Sequence, residues 1–151
     1  MNHGTILLVE DNNSDVLLTK RALKKGRFAG KLVVAEDGEE ALDYLFGTTE
    51  YTAADIPELP TVILLDLKMP KVDGLEVLRC IRSSEKTRTL PVVILTSSKE
   101  EQDVAASYDL GANSYIQKPV NSVRFEEVII TLRLYWLVLN EPPPLLSGGK
   151  L

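Results

Sequence analysis

The stretch Val62-Ile63-Leu64-Leu65-Asp66-Leu67-Lys68-Met69-Pro70-Lys71-Val72-Asp73-Gly74 decides how the chain is read. Four consecutive apolar residues read as a strand covered on both faces, as in a parallel sheet. The run ends on a carboxylate. Pro70 cannot continue a ladder and Asp73-Gly74 supplies turn chemistry before the next helical pattern, so Asp66 is expected in a strand-to-loop crevice. In parallel α/β sheets that crevice is where ligands and chemistry are found.

The same grammar repeats along the chain. Thr5-Ile6-Leu7-Leu8-Val9 is a second apolar strand, ending in Glu10-Asp11; Ser14 is the cap candidate for a helix carrying Val16, Leu18, Ala22 and Leu23, with Gly26 as its stop. Lys31-Leu32-Val33-Val34-Ala35 is a further strand, and Asp37-Gly38-Glu39-Glu40 resembles a capping box before a helix that Gly47 closes. Residues 48–60 form a polar connector with two prolines, longer than is usual between such elements and read as tolerated rather than functional. After the central strand, Leu75, Leu78 and Ile81 give a helix its apolar face and Arg82 a solvated edge. Leu90-Pro91-Val92-Val93-Ile94-Leu95-Thr96 is a strand ending on a hydroxyl. Ser98 and Glu101 suggest a capping box for a helix with Val104, Ala105, Tyr108 and Leu110, ended by Gly111. Ser114-Tyr115-Ile116-Gln117 is a short strand ending on Lys118-Pro119. Asn121 or Ser122 then starts a last helix with Val123, Phe125, Val128, Ile129 and Leu132, whose apolar pattern runs on until Pro142.

Five strands alternating with five helices predict an α/β, flavodoxin-like (βα)5 doubly wound parallel sheet of order 2-1-3-4-5. Residues 1–140 are expected to form the domain and 141–151 a C-terminal tail, mobile over Ser147 to Leu151. The 151 residues are 44% hydrophobic and 26% charged, an ordinary globular composition. A net charge of -5 without a basic run disfavours nucleic-acid binding. Without a secretory leader or an apolar run long enough to span a bilayer, no membrane association and a cytoplasmic location are expected. The single Cys80 cannot pair internally and reads as a buried, inert thiol.

The order 2-1-3-4-5 makes the first and third strands neighbours, so Glu10, Asp11 and Asp66 meet. Three carboxylates that close need compensation, and an all-oxygen site favours Mg²⁺, with Mn²⁺ the alternative. Lys118 adds a fixed cation and Thr96 a hydroxyl donor at the same rim. Together they suit in-line phosphoryl transfer onto an aspartate. Any one of these residues alone is more often a cap or a solvated turn residue; their convergence is the signal.

Glu10-Asp11, the D-x-x-x-P-x-x-D-G pattern of Asp66 to Gly74, Thr96 and Lys118-Pro119 resemble, in this order and spacing, the receiver domain of two-component response regulators, over about residues 5 to 133. The resemblance implies that Asp66 is the phosphoacceptor, Asp11 a direct Mg²⁺ ligand, Glu10 an ion contact mainly through water, and the Lys68 backbone carbonyl a further ligand. It implies Thr96 as the switch hydroxyl, Tyr115 as an aromatic that rotates inward, Lys118 as the phosphoryl partner, and a cis bond at Lys118-Pro119. The Glu-Asp-Asn-Asn opening, the long connector and the C-terminal segment look like the single-domain receivers that partner bacterial phytochromes. Glu10 stands where Asp is commoner, and Lys68 is an unusual cation at the mouth of the site, either solvated or shielding a phosphoryl group.

The implied function is a switch: a histidine kinase acting in trans, since His3 is the sole histidine, phosphorylates Asp66, and the signal leaves through protein contacts because no output domain is recognised after the last helix. A Mg²⁺-dependent phosphohydrolase with an aspartyl nucleophile is the rival, weakened by Lys68 where such enzymes place a second acid. A non-phosphorylated scaffold is weakened by the presence of Asp66, Asp11 and Lys118. Finally, Leu134, Tyr135, Trp136 and Leu137 add apolar area beyond one sheet contact, predicting a homodimer built on the fourth helix, fifth strand and fifth helix.

Overall fold

A computed structural model describes residues 4–47 and 59–144. The elements alternate as expected: β1 (Thr5–Val9), α1 (Asn13–Lys25), β2 (Lys31–Ala35), α2 (Gly38–Phe46), β3 (Val62–Leu65), α3 (Gly74–Ser83), β4 (Val92–Thr96), α4 (Glu101–Asp109), β5 (Ser114–Gln117) and α5 (Ser122–Leu134), which continues as a π-helical turn over Tyr135–Leu139. The strands are parallel, in the order β2-β1-β3-β4-β5. Most of the 48–60 connector, the tail beyond Pro144 and His3 lie outside the described residues.

Because strand side chains alternate, the two faces of the sheet feed two cores. Leu7, Val9, Ile63, Leu65 and Ile94 pack with Leu45 of α2 and Leu78 and Ile81 of α3. Ile6, Leu8, Leu64, Val93 and Leu95 pack with Val16 and Leu23 of α1 and Phe125, Ile129 and Leu132 of α5. The continuous apolar runs are therefore strands buried on both sides. Val9 is registered with Leu65, Leu65 with Ile94, and Thr96 with Gln117. That register gathers the strand tips on one rim.

Local chemistry departs from expectation at several points. Asn12, not Ser14, caps α1, accepting from the Asp15 N–H at 3.1 Å. Asp37, Asp73 and Asn121 cap α2, α3 and α5 through their side chains. Ser98 does not cap α4, which starts after Glu100 without a side-chain bond; the Ser98 hydroxyl instead donates to Asp103 at 2.6 Å. The residues expected along α4, Val104, Ala105, Tyr108 and Leu110, are not its buried face: Asp103 and Ser107 are buried, while Tyr108 is half exposed. Helix α4 therefore lacks a buried apolar residue and rests on polar ties. Cys80 is only half buried, with its thiol pushed up first by burial and then by its bond to Glu76.

Arg82 is not a solvated edge. Its guanidinium donates to the carbonyls of Gly111 (2.9 Å), Arg88 (3.1 Å) and Leu90 (2.8 Å) and to Asn113 Oδ1 (3.0 Å), joining α3, the loop before β4 and the α4–β5 turn. The planar fork satisfies these acceptors together, which an ammonium cannot. Arg82→Ala should lower unfolding free energy by about 2–3 kcal/mol in urea titrations, with Arg82→Lys recovering less than half.

The C-terminal segment divides between the domain's own core and its surface. Trp136 and Leu137 are partly buried and pack on their own domain's core beside α1 and α5. The helix end folds back over Gly4, whose Cβ position lies 3.0 Å from Leu137. Leu134, Tyr135, Val138 and Leu139 stay exposed.

Candidate functional site

The β1–β3 register brings the two acidic strand tips side by side. The Glu10 N–H bonds to the Ala35 carbonyl at 3.0 Å and the Asp66 N–H to the Val9 carbonyl at 3.1 Å, so both acids sit one residue past a paired strand end. Glu10 and Asp66 are buried and Asp11 is exposed; one carboxylate oxygen from each lies within 4.8 Å of the others. An all-oxygen donor set open to solvent through one member fits a hard divalent cation that keeps some waters.

Lys118 enters from β5, its N–H held by the Thr96 carbonyl at 2.7 Å. Its Nζ lies 2.6 Å from Glu10 Oε1, 2.8 Å from Asp15 Oδ2 and 3.0 Å from Asp66 Oδ2, with only a tenth of the side chain exposed. The ammonium has three donors and meets three carboxylates. Thr96 is fully buried, with its hydroxyl beside Asp66. The Lys68 N–H reaches the other Asp66 oxygen at 3.3 Å.

These surroundings drive the two buried acids apart. Burial, only partly offset by Lys118, pushes Glu10 up to about 7. Burial acts on Asp66 in the same direction, but the Thr96 hydroxyl and the Lys118 ammonium outweigh it and hold Asp66 below the usual carboxylate range. Lys118 is held above the usual ammonium range, its burial outweighed by bonds to Asp15 and Glu10. Glu10 is thus the member that takes up a proton, and Asp66 stays an ionised, potential nucleophile.

One expectation changes here. Among the described residues no peptide bond is cis, so Lys118-Pro119 is trans and the cis bond is withdrawn. Trans is favoured by about 0.5–1 kcal/mol even before proline, and the Lys118 N–H already closes its ladder bond to Thr96 without the isomer. Tyr115 is half buried against the core, its hydroxyl donating to the Ser98 carbonyl at 2.9 Å. Ser98 lies two residues beyond Thr96, so this bond ties the β5 aromatic to the loop that follows β4. The Lys68 side chain is 64% exposed, and its ammonium lies 3.5 Å from Asp103 of α4.

Sequence reading missed Asp15 and Asp103. An acid in the first turn of a helix is ordinarily explained by the helix dipole, and Asp103 sits among residues read as apolar helix. The Lys68–Asp103–Ser98–Tyr115 chain links the loop after β3 to β5. A cleft beside it is lined by Asp11, Lys68, Met69, Asp73 and Asp103.

Comparison with known proteins agrees with this geometry. The family described as response regulator receiver domain matches residues 6–130. The chain is 41% identical over 138 residues to the probable methanogenesis regulatory protein FilR2 of Methanothrix harundinacea, covering 91% of this chain and 86% of that protein. It is 39% identical over 132 residues to response regulator Rcp1 of Synechocystis, covering 87% of this chain and 88% of Rcp1. The Mn²⁺-bound structure of Rcp1 superposes with a TM-score of 0.85 at 36% identity, covering 93% of this chain and 99% of the other. The bacteriophytochrome response regulator AtBRR is 51% identical, with a TM-score of 0.69 over 91% of this chain and 98% of its own. Acids from β1 and β3, a hydroxyl from β4 and a lysine from β5 thus converge on one rim of a sheet whose sequence matches the family along most of its length, and the chain belongs to the response regulator receiver family.

Proposed function

We propose that this receiver is a phosphorylation-operated switch in which Asp66 accepts a phosphoryl group from a histidine kinase, that of a bacterial phytochrome. The single observation that carries the first part is the tripod on Lys118 beside an ionised Asp66. An Asp66 oxygen forms the new bond to phosphorus as the bond from phosphorus to the donor's imidazole nitrogen, or to an acyl oxygen, breaks. The leaving group keeps the electron pair. Lys118 and the Thr96 hydroxyl neutralise charge on the transferred oxygens, and Glu10, Asp11, Asp66 and the Lys68 carbonyl would hold Mg²⁺, with Mn²⁺ able to replace it. When bound, the cation supplies charge neutralisation for the incoming phosphate. The 51% identity to a bacteriophytochrome response regulator supports the phytochrome class of donor.

The product is a changed surface rather than a released compound. Thr96 drawn to the phosphoryl group would pull the loop to Ser98, whose carbonyl holds Tyr115. Hydrolase chemistry wants an acid two residues past the nucleophile, and Lys68 there is paired with Asp103. Incubation with acetyl phosphate tests the site: one phosphoryl group per chain is expected with Mg²⁺ and almost none after chelation. Asp11→Ala should raise the half-saturating Mg²⁺ concentration about tenfold or more, consistent with loss of a direct ligand. Labelling indifferent to Mg²⁺ would sink the ion site.

The functional unit in this reading is a homodimer in the cytoplasm, paired through the exposed end of α5 together with α4 and β5. Leu134, Tyr135, Val138 and Leu139 lie one turn apart in pairs and are 44–67% exposed, an apolar stripe that a twofold partner would cover. Because Trp136 belongs to the domain's own core, the disrupting pair is Tyr135→Glu with Leu139→Glu, which should give a folded monomer in sedimentation. A wild type that sediments as a monomer at micromolar concentration, phosphorylated or not, would overturn the dimer.

A further inference from the structure

Lys118 is held by a third carboxylate that does not belong to the oxygen cluster of Glu10, Asp11 and Asp66. Of its three carboxylate partners, Glu10 and Asp66 also belong to the oxygen cluster that can bind a cation, whereas Asp15 does not. Asp15 is placed by α1. Its N–H is taken by the Asn12 cap at 3.1 Å and its carbonyl accepts the Thr19 hydroxyl at 2.8 Å. The main chain thus fixes the helix start and leaves the carboxylate free to reach Lys118 Nζ at 2.8 Å, with a fifth of its side chain exposed. An acid that served only the helix dipole would need no such reach across to β5.

From this arrangement we propose that Asp15 is a positioning residue for phosphoryl transfer, holding the Lys118 ammonium on the α1 side of Asp66 when Glu10 and Asp66 turn their oxygens to a cation. It deepens, and rests on, the reading of Asp66 as phosphoacceptor. An ammonium on a four-carbon stem has many rotamers, and a fixed anionic partner removes most of them before the donor arrives. One N–H stays on Asp15 while the others are free for the phosphoryl oxygens. Without Asp15, Lys118 depends on the very groups the cation competes for.

The test times labelling by acetyl phosphate, which releases acetate, over a range of Mg²⁺ concentrations. Asp15→Ala should lower the maximal rate about tenfold, the scale expected for a misplaced catalytic group, with Mg²⁺ half-saturation within about twofold of wild type. Asp15→Asn, which keeps size and one acceptor, should fall between them and serves if alanine impairs folding. In a Lys118→Met background, Asp15→Ala should slow labelling no further, since its effect passes through the ammonium. Equal slowing in both backgrounds, a shift confined to Mg²⁺ half-saturation, or no slowing would overturn the positioning role. Should Lys118→Met label too slowly to time, the split between maximal rate and Mg²⁺ half-saturation decides alone. Failure of the underlying reading looks different: wild type would stay unlabelled, or Asp66→Asn would label like wild type.

Discussion

Asp66→Asn is expected to abolish phosphoryl labelling, from a kinase or from acetyl phosphate, with a rate at least about a thousandfold below wild type. The amide is nearly isosteric with the carboxylate but is a far weaker nucleophile. The cause lies in the surroundings of this one acid. Glu10, a few ångströms away, is pushed up to about 7 by burial, while the Thr96 hydroxyl and Lys118 keep Asp66 ionised despite its own burial. Asp11 is exposed and lies outside Lys118's set of partners. The variant should remain folded, because Lys118 keeps Glu10 and Asp15. Intact-mass measurement after saturating acetyl phosphate and Mg²⁺ reads the outcome directly. A variant gaining the same mass as wild type would move the acceptor elsewhere.

Most of what positions Asp66 was legible in the sequence, because the signals are local. Val62 to Leu65 read as a parallel-sheet strand covered on both faces, and each strand ends on, or is followed at once by, a polar residue at the same edge. Once β1 lies beside β3, Glu10 and Asp66 must meet. What could not be read depends on the direction of side chains that have a second, equally ordinary use. Asp15 and Asp103 read as first-turn acids and Arg82 as a solvated edge. Only tertiary placement shows that each one bridges two or more elements.

The C-terminal segment shows the same limit from the apolar side. Leu134-Tyr135-Trp136-Leu137 has too much apolar surface for one sheet contact, and the pattern alone does not say which half turns inward. The π-helical turn rotates the segment so that Trp136 and Leu137 meet their own core and Tyr135, Val138 and Leu139 remain outside. Its widened register is not encoded in a period of 3.6 residues. The turn also leaves Tyr135 and Trp136 edge to face, with ring centroids 4.9 Å apart. One aromatic belongs to the fold and its neighbour to the surface.

Gly74→Ala should both destabilise the fold and slow labelling, although alanine is ordinarily the better helix residue by up to about 1 kcal/mol. Gly74 is the first residue of α3, and its N–H bonds to the Leu67 carbonyl at 3.0 Å. A Cβ there would lie 2.2 Å from the Asp66 carbonyl oxygen and 2.7 Å from the Leu67 Cα. Both are backbone atoms and cannot swing aside. The loop is gripped from the other side as well, since a Cβ on Gly38 would meet the Val72 carbonyl oxygen at 2.0 Å. The start of α3 and the segment carrying Asp66 would therefore have to part by about an ångström, at a net cost near 2 kcal/mol once the helix gain is subtracted. A shift of that size at a reacting group slows transfer by about a hundredfold, so the labelling defect should exceed what the unfolded fraction explains. Urea unfolding together with acetyl phosphate labelling separates the two effects. Wild-type stability with wild-type labelling would show that the close approach of α3 to Asp66 is not what fixes the acceptor.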